Sequence, residues 1–161
     1  MADKAVGHVS SSIFEDAVKS GLSGSLVFDA ATLATGAHKW AYVRKVMEAN
    51  ANIFDTTEDY MNDGVALAAG DICKYVAIKH SGTSDGTNTT SSGLMISLAG
   101  AATHNDADGI FLEPGEMIVL KLPFTTIDNL HAVAVTITNG KPSADAGAVQ
   151  VIAAGLLDDV A

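Results

Sequence analysis

Hydrophobic and polar residues alternate with a period of two along most of this chain, the spacing that lets a β-strand turn one face to a core and the other away from it. The clearest stretch is 109–122, GIFLEPGEMIVLKL, where Ile110 and Leu112 alternate with Phe111 and Glu113, and Ile118, Leu120 and Leu122 alternate with Met117, Val119 and Lys121. Between these arms stands Pro114-Gly115. Proline presets φ for position i+1 of a turn, and glycine accepts the positive φ that a type II turn imposes at i+2. Residues 113–116 therefore read as a tight reversal, and the whole stretch as a β-hairpin.

The same period recurs along the chain. Residues 25–29 form a first strand, and over 38–48 Trp40, Tyr42, Arg44 and Val46 alternate with Ala41, Val43, Lys45 and Met47. A helix would also align Trp40, Val43 and Met47, but the unbroken alternation favours a long strand, either near a sheet edge or with one face turned to a partner. Further strands are expected over 50–54 and over 71–80, the latter with Ile72, Val76 and Ile78 on one face and Cys73, Tyr75 and Ala77 on the other. Others cover 94–98, 130–138 (closed by Asn139-Gly140) and 148–157. Residues 55–70 read as loop with one short strand near 65–67, and 100–109 and 141–147 as loops. The segment 81–92, SGTSDGTNTTSS, has no apolar residue and reads as a long exposed hairpin loop, a solvated and mobile connection in the place where β scaffolds often carry recognition.

Residues 1–24 have a different character. Ser12 and Glu15 fit a capping box, Ile13 with Ala17 and Phe14 with Val18 are i,i+4 pairs, and Gly21 suits a helix end. This predicts an arm or a short helix of about two turns, whose apolar face needs its own domain or a neighbour to pack on. About eight to nine short strands separated by turn signals then predict an all-β, single-domain antiparallel sandwich or barrel over 25–161.

Composition narrows the function. The chain has 161 residues and a net charge of −10, from 19 acidic against 9 basic residues, with a single arginine, Arg44. Phosphate binding draws its affinity from clustered cations, so nucleic acid is a poor partner; an acidic protein is steered instead toward basic surfaces. No run approaches the ~20 apolar residues of a membrane span, and the first residues lack the apolar core of a signal peptide. The lone Cys73 sits in an apolar strand and reads as a buried, inert thiol.

Catalytic chemistry finds little support. The histidines, His8, His38, His80, His104 and His131, show no metal-ligand spacing, although His80 and His131 could meet across sheets. Residues 104–109, HNDADG, resemble a calcium loop only at Asp106, Asp108 and Gly109; the first ligand position holds His104 and the twelfth Gly115. Ser23 lacks the setting of a nucleophile elbow, and no phosphate-binding glycine motif occurs. The expectation is a protein that is not an enzyme and uses no cofactor. Its candidate anchors for a protein interface are Ile13, Phe14 and Val18 in the arm and Trp40 and Tyr42 in the long strand.

The order of these features resembles the jelly-roll decoration, or cement, proteins on the outside of tailed-bacteriophage capsids: a small acidic chain, an N-terminal arm, a Ser/Thr/Asn-rich loop, strands around Leu112-Glu113-Pro114-Gly115-Glu116 and a closing Ala/Val strand. The likeness covers residues 70–157. It implies a jelly-roll β-sandwich forming a homotrimer, less often a monomer, that docks on the major capsid protein at the virion surface and stabilises the shell without enzymatic activity. An alternative is a carbohydrate- or receptor-binding module, such as a head fibre tip or lectin-like domain, acting through 81–92.

Overall fold

An alternating strand can remove its apolar face from water only if a second such face is brought against it. The chain achieves this by rolling up one long antiparallel ribbon. The computed structural model describes residues 4–15, 18–29, 38–56, 67–100, 102, 109–122, 124–143 and 147–158. In order, the elements are β1 (Lys4–Glu15), β2 (Val18–Asp29), β3 (His38–Met47), β4 (Ala51–Asn52), β5 (Ile72–His80), β6 (Gly93–Ser97), β7 (Ile110–Leu112), β8 (Met117–Lys121), a 3-10 turn (Ile127–Asn129), β9 (His131–Thr138), β10 (Lys141–Ser143) and β11 (Val149–Asp158).

Four antiparallel pairs nest inside one another: β3 with β11, β4 with β9, β5 with β8, and β6 with β7. Rolling this ribbon brings β11 against β5 and β9 against β6. The result is one sheet in the order β3-β11-β5-β8 and a second, β9-β6-β7, whose outer border on β9 is shared by β4 and β10. That connection order is a jelly roll. It realises the all-β antiparallel sandwich that the alternation predicts.

The core lies between the two sheets. Val43 and Met47 of β3, Val151 and Leu157 of β11, and Val76 and Ile78 of β5 face Leu94 and Ile96 of β6 and Ala132 and Ala134 of β9. Just after β4, Ile53 and Phe54 are fully buried, and Ile53 N–H donates to the Leu130 carbonyl at 2.9 Å. The Phe54 ring packs against β11 at Gly155, where an added Cβ would stand only 3.0 Å from its Cζ. Glycine there makes room for the largest side chain in the core.

Several expectations need correction. The arms of 109–122 do not pair with each other: β7 belongs to one sheet and β8 to the other. The turn itself forms as expected, with Gly115 at φ 90° and Glu116 N–H donating to the Glu113 carbonyl at 3.0 Å. It carries the chain across the sandwich instead of back along one sheet, because each arm finds a longer partner elsewhere. In β5 a bulge opposite Leu156 and Leu157 shifts the alternation at Lys74, so Cys73 shares the inner face with Val76 and Ile78. After β9, Asn139 and Gly140 both take positive φ, 54° and 75°, and the chain doubles back into β10 where a loop was expected. The short strand near 65–67 and the 104–109 loop fall largely outside the described residues.

The short helix expected within 1–24 is replaced by strand. β1 and β2 pair in register from Lys4↔Asp29 to Glu15↔Val18, as a separate two-stranded ribbon reaching beyond the expected boundary at residue 24. No helix forms over these described residues. Glycines at 7, 21 and 24 and a Ser10-Ser11-Ser12 run disfavour a helix, and the capping-box spacing is outweighed by cross-strand pairing along the whole length.

Two substitutions test the closeness of the core. Phe54→Ala should lower the unfolding free energy by about 3–5 kcal/mol through the cavity it leaves. Gly155→Ala should cost about 1–3 kcal/mol through overpacking against the Phe54 ring. Urea denaturation of each variant, with the double mutant showing the second cost largely relieved, checks both.

Candidate interaction surfaces

Among the described residues no group of three His, Cys, Asp or Glu side chains is placed to hold a metal ion. His80 and His131 do not meet. His131 lies at the start of β9, where its Nε2 donates to the Asp128 carbonyl at 2.8 Å and its Nδ1 is 3.2 Å from Asn50 Oδ1. Cys73 is buried in the core, and desolvation pushes its thiol up to about 12 from an ordinary 9.0, so no reactive thiolate forms at neutral pH.

His80, fully buried at the far end of β5, organises the segment 81–92. Gly82 N–H donates to its Nδ1 at 3.0 Å, which requires that nitrogen to be unprotonated. The proton therefore sits on Nε2, which donates to the Ser92 carbonyl at 2.8 Å. One neutral imidazole thus ties the two ends of the loop together. Between them the chain is folded on itself: Thr83 bridges to Thr89, and Ser84 N–H donates to the Asn88 carbonyl at 2.8 Å. Asp85 Oδ1 accepts the N–H groups of Thr87 and Asn88, both at 2.8 Å, while Oδ2 accepts from Asn88 Nδ2 at 2.7 Å. The base of the loop is joined to β11, since Ser81 N–H donates to the Gln150 carbonyl and Gln150 N–H to the Thr83 carbonyl. Instead of a mobile connection, 81–92 is a built projection, crossing from β5 in one sheet to β6 in the other.

The crossing turn 113–116 lies beside this projection. His80 N–H donates to the Glu116 carbonyl at 2.9 Å, and Glu113 N–H donates to Glu116 Oε2 at 2.8 Å. Glu48 follows β3 at the same end, where Met47 pairs with Val149. Glu48, Asp85, Glu113 and Glu116 are all exposed, so one end of the sandwich gathers carboxylates around a fixed polar loop. Such a cluster of exposed carboxylates makes this end acidic.

The outer face of the β3-β11-β5-β8 sheet has the opposite character. Cross-strand register places Tyr42, Ala154, Ala77 and Val119 in one row and Arg44, Ile152, Lys79 and Met117 in the next. Trp40 packs with Tyr75 over the buried Leu156 in a third row, which ends at Lys121. Tyr42 is 41%, Val46 44% and Met117 61% exposed, whereas on the other sheet's outer face Met95, Val133 and Val135 are buried together with Ala102. Among the described residues the strands carry three exposed cations on this face, Arg44, Lys79 and Lys121, and no exposed acid, in a chain with about twice as many acids as bases.

Of the anchors named from the sequence, Trp40 and Tyr42 are therefore brought together on an open, apolar and basic sheet face. Ile13, Phe14 and Val18 lie near the tip of the β1–β2 ribbon, Ile13 opposite Ser20, Phe14 opposite Lys19 and Val18 opposite Glu15. The alternation already set Arg44 and Val46 on the same face as Trp40 and Tyr42, though not as anchors. Met117 and Lys79 were missed, since they join the face only through the register of β8, β5 and β11.

Hydrogen bonds from the Asn88 and Thr87 backbone, and then from the Asn88 side chain, hold the Asp85 carboxyl below its ordinary value of 3.8. A depressed acid contributes order that is present above its unfolded value and is lost as pH falls through the folded one. The Thr87 and Asn88 amides should thus keep their chemical shifts from neutral pH through the ordinary carboxylate range and change only below it, as an NMR titration would read. His80→Phe should cost about 2–4 kcal/mol by stranding the Gly82 N–H and Ser92 carbonyl, with amide exchange across 81–92 accelerated. Comparison of the chain with protein-family models, with curated proteins and with solved structures found no match.

Proposed function

We propose that this chain is a non-enzymatic structural protein of a bacteriophage virion, a homotrimer that docks on the major capsid protein from outside and stabilises the shell. The observation that carries the reading is the gathering of Glu48, Asp85, Glu113 and Glu116 around a hydrogen-bonded loop at one end of a jelly roll. A rigid, negatively charged end is suited to docking on a basic protein surface, because complementary fields raise the rate of encounter and fix orientation while little order has to be gained on binding. Charge steering of this kind weakens with added salt.

A second reading has an observation of its own. The 81–92 loop presents hydroxyls and amides in a fixed arrangement, which suits recognition of a carbohydrate or receptor. It has no aromatic residue on which a sugar ring could stack.

Adding the purified protein to capsids stripped of their outer proteins should restore resistance to heat or osmotic shock. The association rate should fall steeply with ionic strength and drop several-fold in Glu113→Gln/Glu116→Gln. Failure to bind such capsids, together with a glycan-array signal abolished by shortening 81–92, would replace the first reading with the second.

A further inference from the structure

The outer face of the β3-β11-β5-β8 sheet sorts its side chains by row. In the Tyr42 row the positions on β11 and β5 are Ala154 and Ala77, which carry only methyl groups. The row on one side holds Trp40 and Tyr75, both half-buried and packed against Leu156 between them. The row on the other side holds Arg44 and Lys79, both exposed, with Ile152 between them. Same-face residues recur every ~7 Å along a strand, so the two flanking rows stand about 14 Å apart at the backbone. The alanines are thus the floor of a shallow trough with an aromatic wall, a cationic wall and Tyr42 at its β3 end. β2 approaches this sheet along β8, the border strand farthest from β3, and Lys121 of β8 has an interaction of its own. The trough lies over β3, β11 and β5, where Tyr42 is 41% exposed.

We infer that this trough binds an acidic sugar, a pyranose ring bearing a carboxylate or a sulfate. One face of such a ring is made of C–H groups and packs on aromatic side chains, while its hydroxyls stay in water. On a ring seated against the aromatic wall, an anionic substituent at the ring edge falls toward Arg44 and Lys79. A guanidinium offers paired N–H donors to either anion. Neither Arg44 nor Lys79 has an ion-pair partner among the described residues, so binding breaks no existing pair. The inference deepens the carbohydrate reading by moving the sugar from the 81–92 loop, which has no aromatic residue, to the sheet face that has three.

A nucleic acid also stacks on aromatic rings, but its phosphates recur along the chain and need a track of cations. Here β3 passes from Arg44 to the exposed Glu48 within about 13 Å. Two cations beside an acidic end suit one charge on one ring.

Trp40 is the sole tryptophan, so its fluorescence reports what enters the trough. Titrating the full chain with digalacturonate, and separately with a sulfated heparin disaccharide, should change Trp40 emission saturably with at least one of them, which decides between carboxylate and sulfate. Uncharged maltose should bind about ten-fold more weakly. Tyr42→Ala and Arg44→Gln/Lys79→Gln alter only exposed positions, and each should weaken the acidic sugar by about ten-fold, the second to the level of maltose. Shortening 81–92 should leave the titration unchanged. No saturable response to either acidic sugar, a response unmoved by both sheet-face variants, or tighter binding of a thymidine oligonucleotide or polyglutamate would overturn the inference. Trp40 emission that shifts with protein concentration in the absence of sugar would assign the face to a second copy, with the same result. Sugar binding lost on shortening 81–92 but kept in the sheet-face variants would return the sugar to the loop and strike this inference alone. Sheet-face variants that lose the sugar yet still bind stripped capsids would support both this site and the docking reading.

Discussion

Everything in the sandwich depends on β11 being hydrogen-bonded on both sides. It pairs with β3 from Met47↔Val149 to His38↔Asp158, and with β5 from Val151↔His80 to Asp158↔Ile72. Its inner residues Val149, Val151, Ala153 and Leu157 form the floor of the core, and Gly155 admits the Phe54 ring. Without that strand β3 would have no place in a sheet, and both β3 and β5 would present open edges. The 81–92 loop also hangs from it through Gln150.

The division of the surface follows from the same arrangement. Successive strands cross between the sheets at both ends, and the crossings β5 to β6 and β7 to β8, at one end, carry Asp85, Glu113 and Glu116. Strand faces, by contrast, take their character from register. Trp40, Tyr42 and Arg44 come from one strand and Lys79 and Met117 from two others, so a coherent basic and apolar patch arises only once all four strands are aligned. A protein with net charge −10 can in this way present a locally positive face without any basic motif in its sequence.

Much of the fold was legible because burial between two sheets imposes a period of two, which marks β3, β5, β6, β9 and β11 wherever a strand is long enough to show it. What could not be read was pairing. Pro114-Gly115 announces a reversal, yet nothing local says whether the returning strand lies beside its predecessor or across the core from it. The ribbon was misread for a related reason: Ser12, Glu15, Ile13 and Phe14 satisfy helical spacing over two turns, and only the twelve-residue register with β2 outweighs it. Of the candidate surfaces, the anchors Trp40 and Tyr42 were visible as large residues on one parity of a strand. The carboxylate end was not, because Glu48, Asp85 and Glu116 are far apart in the chain and are brought together by three separate crossings.

The twofold pairing of β11 also bears on how the molecule is made. During translation β3 and β5 emerge long before residues 149–158 exist, and they have a strand-width gap between them that no other segment fills. Local hairpins cannot substitute for a partner so distant in sequence, and folds dominated by such contacts form slowly. Native structure must then await emergence of β11 from the ribosome, and the nascent chain is exposed until that moment to insertion of a matching strand from a neighbouring polypeptide.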